Sequence, residues 1–256
     1  LNRISDIFKT KSEKVIPFLT AGYPTLNDTV DMVLSAEKAG ADMIEIGMPF
    51  SDPLADGPII QKASQIAIEN GVNIKWILET VYKIRTYSEI PIVLMGYINP
   101  IIKYGLKKFL TECNSSGVDG LIIPDLPPEE AIEFIEKCKI NKISPILLVA
   151  PNTENKRIKY ISNLAGDLIY CVSILGITGS KSSKNNNLEK YLQRIKIYSE
   201  CPFVVGFGIS TRNDVRSINK ISDGAVIGSA IINKFNKNES PQETVFNYIK
   251  ELRGNE

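Results

Sequence analysis

An α/β fold, and within it a closed (β/α)8 TIM barrel, is predicted by three observations in the 256-residue sequence. Eight short apolar, β-branched runs recur along its length. A helical pattern with apolar residues at three- and four-residue spacing follows each, and no flexible linker interrupts the alternation. Runs this short, with little period-two alternation, suit a parallel sheet covered by helices on its outer face. Eight such units fit a closed barrel better than an open doubly wound sheet, which has fewer strands, or two stacked lobes, which would need a flexible boundary. The chain is expected to form one domain over residues 1–256.

The strands are expected at Val15 to Thr20, Met43 to Gly47, Pro91 to Met95, Gly120 to Ile123, Pro145 to Val149, Leu168 to Val172, Phe203 to Gly206 and Ala225 to Ile227. An extra N-terminal helix within Arg3 to Lys11 is expected to cap the bottom of the barrel. The helix over Asn27 to Ala39 carries Val30, Val33, Leu34 and Ala36 at helical spacing and stops at Gly40. The same periodicity predicts helices over Ile74 to Tyr87, Leu106 to Ser115, Pro128 to Cys138, Glu154 to Leu164, Leu188 to Tyr198 and Thr211 to Asn219. Prolines and acids around Asp125 to Glu130 read as a helix start, and Ser210 or Thr211 supplies a cap. A short helix over Ser229 to Phe235 follows strand eight, and Ser240-Pro241 leads into the last outer helix, Thr244 to Leu252.

Composition narrows the function classes. A formal net charge of +1 argues against a strongly basic nucleic-acid surface. No apolar stretch reaches membrane-spanning length and no signal-peptide pattern is present, so a cytoplasmic protein is expected, or one of the plastid stroma if the gene is organellar. Cys113, Cys138, Cys171 and Cys201 are scattered without ligand-like spacing and read as reduced thiols. The sequence has no histidine, which removes histidine triads, bases and metal ligands together. Asp, Glu, Tyr, Lys and backbone groups must carry any chemistry, and no metal site is expected.

The run from Glu45 to Asp56 is the densest chemical signal. It ends a buried strand with a carboxylate and continues into a proline-interrupted loop holding Asp52 and Asp56, closed by Gly57-Pro58. An acidic surface turn could have this composition. In a barrel, however, catalytic groups come from strand C-termini and the loops after them. Glu45 shares a strand face with Met43 and Gly47, and if that face points inward, burial raises its pKa towards that of a neutral-pH acid. Asp56 rides the loop and can approach bound substrate, while Asp52 is expected to be more exposed.

A phosphate site is expected across the mouth. Gly206-Phe-Gly-Ile-Ser210 follows strand seven, and Gly228-Ser-Ala230 follows strand eight ahead of the short helix. Small residues there let backbone N–H groups approach an anion. Gly176 to Gly179 after strand six could complete the cradle, and the polar stretch Ser180 to Asn187 beyond it is a candidate lid loop, its composition being equally compatible with simple surface disorder.

Phosphate and paired acids leave several reactions open. A Schiff-base aldolase needs a lysine aimed into the barrel, and every lysine falls on an expected helix, loop or terminus. A metal aldolase usually needs imidazole ligands, and a sugar-phosphate isomerase would need an electrophile other than histidine. Acid–base cleavage of a substrate carrying its own electron sink remains attractive. A barrel kept only to bind and activate a partner is the non-enzymatic alternative.

Ile16 to Gly22, Glu45 to Pro58, Gly206 to Ser210 and Gly228 to Ala230 together resemble the tryptophan synthase alpha chain family, over essentially the whole sequence. The resemblance implies a carbon–carbon lyase that cleaves indole-3-glycerol phosphate to indole and glyceraldehyde 3-phosphate, with Glu45 and Asp56 catalytic. Glu45 would handle proton transfer at indole C3 and at the glycerol hydroxyl, and Asp56 the proton on the indole nitrogen. Phe18, Ile60, Tyr97 and Tyr170 match positions around the substrate, and Thr178 a closing-loop residue that contacts Asp56. Gly179, Gly208, Gly228 and Ser229 match phosphate-binding positions. The resemblance also implies a beta-chain partner in an αββα assembly, with Asp52, Asn99 and Pro127 at interface or coupling positions. No cofactor is expected in this chain, since pyridoxal phosphate belongs to the beta chain. One departure is apolar Ile174-Leu175 after strand six, where some relatives carry arginine.

Overall fold

The computed structural model describes residues 2–172, 181–206, 208–235 and 238–254. Eight parallel strands close into a barrel in sequence order: β1 (Val15–Thr20), β2 (Ile44–Gly47), β3 (Ile92–Met95), β4 (Gly120–Ile122), β5 (Ser144–Val149), β6 (Ile169–Val172), β7 (Phe203–Gly206) and β8 (Gly224–Ile227). Every strand lies within one residue of its expected bounds. The strands read as largely apolar runs because both faces are covered. Ile16, Phe18, Val93, Met95, Ile122, Ile146, Tyr170, Val204 and Val226 form a cluster inside the barrel. Val15, Leu19, Ile44, Ile46, Ile92 and Leu94 pack outward beneath the helices. Phe18, Glu45, Val93 and Gly120 are register partners across β1 to β4, which brings Glu45 into the inner layer.

The bottom of the barrel is closed by α1 (Arg3–Ile7), whose Asn2 cap accepts from the Ser5 N–H. The expected helix to Lys11 therefore stops at Ile7. Ile4 is fully buried, and its Cδ1 would lie 2.8 Å from a Cβ placed on Gly120, so the glycine makes room for the plug. Burying such a side chain contributes about 1.5–3 kcal/mol. Arg3 and Arg85 converge on Asp119 at 2.9 and 2.6 Å, tying α1 and α4 (Ile74–Arg85) to the start of β4.

The outer layer contains α2 (Asp28–Lys38), α4, α6 (Leu106–Ser116), α8 (Asn155–Ala165), α10 (Arg212–Asn219) and α12 (Pro241–Arg253) near their expected places. Thr211 and Ser240 each complete a capping box, with Asp214 and Glu243. The short helix after β8 is α11 (Ser229–Lys234).

Two helices were absent from the expected pattern. α3 (Pro58–Glu69) starts at a proline in the first turn and buries only small residues, Ala63, Ser64 and Ala67. α5 (Ile98–Tyr104) carries Pro100 in its first turn, where the missing N–H costs nothing. Two further bounds change. α7 (Ile132–Ile140) begins after turns in which Glu130 and Ala131 N–H groups donate to Pro127 and Pro128 carbonyls. α9 (Lys181–Tyr198) reaches back through residues 181–187, so the expected lid loop is helical over that stretch. Helix propagation adds a backbone hydrogen bond per residue once a helix is nucleated. Among the described residues no helix is long and apolar enough to cross a membrane. The four cysteines are free.

Candidate active site

At the C-terminal end of the strands lies a small cleft, open to solvent. Its lining joins Glu45 and Asp56 to Phe18, Ile60, Tyr170, Gly208, Gly228 and Ser229. Eight positions expected from the sequence therefore converge here. Met95, Ile209 and Val226 complete the wall. Met95 could have been found by parity, since it follows inward-facing Val93 by two residues on β3.

Glu45 is 2% exposed, and its Oε1 has no hydrogen-bond partner among the described residues. Among the described residues no arginine or lysine lines the cleft to neutralise it. Burial, and secondarily the charge of Asp56, push its carboxyl up to about 8, so it holds a proton at neutral pH. The two acids thus differ in role by environment: one is dry and protonated, the other is half-buried on a mostly exposed loop.

Asp56 ends the segment between β2 and α3. Burial raises its pKa and a hydrogen bond from the Tyr97 hydroxyl lowers it. The Gln61 amide donates to its backbone carbonyl at 2.8 Å, anchoring the loop to the first turn of α3. Ile60 enters the cleft from that turn, so α3, although not expected, carries a lining residue and fixes the loop's end.

The aromatic walls depend on two glycines. A Cβ on Gly47 would lie 2.4 Å from Phe18 Cζ, so the ring packs across the β2 backbone beyond Glu45. The Tyr170 hydroxyl similarly fills the space above Gly206. Burial, reinforced by Glu45, lifts the Tyr170 phenol well above its ordinary value and keeps it neutral.

Across the cleft, Gly208 has φ +76°, a conformation that favours glycine, and Gly228 occupies the cap position of α11 ahead of Ser229. Thr178 and Gly179 lie outside the described residues. Tyr97 lines a neighbouring groove instead, behind the Asp56 loop. Asp52, Asn99 and Pro127 are exposed, on segments following β2, β3 and β4, which are adjacent in the barrel. Beside Asp52, Leu54 is 90% exposed.

A larger depression at the opposite end includes Glu13 and Glu200, but these already pair with Arg212 and Lys159. It lies away from the strand C-termini where barrel chemistry is built. Among the described residues no group of three or more Cys, Asp or Glu side chains could hold a metal ion.

A family model described as the tryptophan synthase alpha chain matches residues 4–255. The tryptophan synthase alpha chain of Petrotoga mobilis is 46% identical over 250 residues, covering 98% of this chain and 96% of the relative. A crystal structure of tryptophan synthase subunit alpha from Legionella pneumophila superposes with TM-score 0.91 at 31% identity, covering 100% of this chain and 98% of that one. A chain from the tryptophan synthase α2β2 complex of Pyrococcus furiosus superposes with TM-score 0.88 at 37% identity, covering 94% and 98%.

Proposed function

The chain belongs to the tryptophan synthase alpha chain family, and from that premise we propose that it cleaves indole-3-glycerol phosphate by retro-aldol chemistry to indole and D-glyceraldehyde 3-phosphate. The observation that carries this reading is the buried Glu45, protonated at neutral pH, in the same cleft as Asp56.

The chemistry follows from the two environments. Glu45 delivers its proton to indole C3, and the ring becomes an iminium-like electron sink with its N–H hydrogen-bonded to the Asp56 carboxylate. The Glu45 carboxylate then removes the proton from the hydroxyl on the carbon attached to C3. The O–H electrons form the aldehyde C=O, and the C–C bond pair returns to the ring, neutralising the iminium. Glu45 ends as it began, protonated. Phe18, Ile60 and Tyr170 hold the indole, while Gly208, Gly228 and Ser229 direct backbone and hydroxyl donors at the phosphate. Thr178 and Gly179 are assigned to the closing loop and phosphate on the family resemblance.

The partner is a tryptophan synthase beta chain in an α2β2 assembly, the form named for the Pyrococcus furiosus relative. Indole passes to it for condensation with L-serine, and the pyridoxal phosphate of that step belongs to the beta chain. The exposed rim of Asp52, Asn99 and Pro127 is the contact side. The test is a steady-state assay of indole release from indole-3-glycerol phosphate, alone and with a beta chain. Release that disappears in Glu45→Gln while the complex still forms supports the reading; no release from the wild-type chain in either setting overturns it.

A further inference from the structure

Tyr97 serves two consecutive residues of the catalytic loop. Its hydroxyl oxygen accepts the Ala55 N–H at 2.9 Å, and the same hydroxyl favours the charged form of the neighbouring Asp56 carboxylate. One phenol thus accepts from the loop backbone and keeps its own O–H for the acid next along the loop. The ring is only 4% exposed and packs on Phe50 of the same loop, centroids 5.3 Å apart at 33°. Its own backbone is fixed, since Tyr97 caps α5 and the following N–H, of Ile98, donates to Asp125 at 3.0 Å. Tyr97 does not line the catalytic cleft; it faces the neighbouring groove with Pro49 and Pro100.

We infer that Tyr97 is a positioning residue, not a substrate contact: it latches the β2–α3 loop to the end of β3 and thereby sets where the Asp56 carboxylate stands. This rests on the reading of Asp56 as the group facing the substrate's ring nitrogen. The connection is short and rigid, from β3 through one side chain to the acid. A misplacement of about 1 Å in such a group costs on the order of a hundredfold in rate. The hydroxyl also holds the Asp56 proton affinity down against burial, keeping an acceptor available for the indole N–H. Among the described residues the ionisable groups around the pair are Glu45 on β2, Asp125 after β4 and, on the outer side, Lys103 and Tyr104 on α5.

Tyr97→Phe tests this because it keeps the ring on Phe50 and removes only the hydroxyl. In the unliganded chain, amide hydrogen exchange at Ala55 should accelerate about tenfold or more in Tyr97→Phe; unchanged exchange overturns the latch whether or not the enzyme turns over. In the cleavage assay, kcat/KM should fall about tenfold to a hundredfold, and its acidic limb should move to higher pH as Asp56 loses the bond favouring its charged form. That loss should largely vanish when Tyr97→Phe is made on Asp56→Asn, measured on the residual rate. A rise in KM alone, with the acidic limb unmoved and the loss undiminished on Asp56→Asn, would make Tyr97 a substrate contact. A wild-type chain that releases no indole but shows the exchange difference would sink the proposed function and leave the latch standing.

Discussion

A Cβ placed on Gly206 would lie 1.8 Å from the Tyr170 hydroxyl and 2.4 Å from its Cζ. Tyr170 on β6 can stand upright in the cleft only because its β7 neighbour has no side chain, and the two strands are in register at Tyr170–Val204 and Val172–Gly206. Gly206→Ala should therefore push the ring into the space beside Glu45. Overpacking of this kind costs about 1–3 kcal/mol, and indole release should fall at least on the order of a hundredfold. Thermal unfolding and steady-state kinetics would check both, and Tyr170→Ala on the same chain should restore the stability but not full activity.

The reaction needs Glu45 protonated at its start. Since burial and Asp56 push that carboxyl to about 8, kcat/KM should lose activity as pH rises through about 8. Asp56→Asn removes the neighbouring charge, so the alkaline limb of its residual activity should move to lower pH. A limb that stays in place would show that Asp56 does not act on Glu45.

The same burial has a cost in stability with a defined sign. Below the ordinary carboxyl value of 4.5 both folded and unfolded chains hold the Glu45 proton, and no penalty exists. As pH rises towards about 8 the unfolded chain ionises while the folded chain does not, so stability declines across that window and levels off above it. At pH 7 the penalty is about 3 kcal/mol as an upper bound. Glu45→Gln should be inactive yet more stable than wild type at pH 7, with the advantage gone near pH 4. Urea unfolding at both pH values would measure it.

Asp119 sits at the opposite end of the barrel, 7% exposed at its side chain, and accepts from Arg85, Arg3 and the Ile92 N–H. Asp119→Ala leaves Arg85, 9% exposed, without its carboxylate. Unfolding free energy should fall by about 3–5 kcal/mol, while activity per folded molecule stays near wild type. A comparable loss of kcat at full folding would mean that the bottom of the barrel communicates with the cleft.

How much was legible follows from where each signal resides. The strands could be read because burial on both faces turns each into a short apolar run, and α10 and α12 because their capping boxes are local in sequence. α3 and α5 were hidden because proline is read as a breaker, although in a first turn it removes an N–H that has no helical partner. α3 also lacks a large apolar stripe, since it buries alanines and a serine.

Residue types and spacing by themselves determined the barrel, the absence of histidine chemistry and the choice of Glu45 and Asp56 as the acids. The family resemblance supplied the substrate. Only the tertiary structure decided that these acids share one cleft, that Glu45 stays protonated, and that the Tyr97 hydroxyl, at a position the family resemblance puts around the substrate, accepts the Ala55 N–H of the β2–α3 loop. Each of these depends on groups brought together from different strands, and on how much water the closed barrel leaves around a charge. Neither distance across the barrel nor local dielectric is carried by any short run of residues.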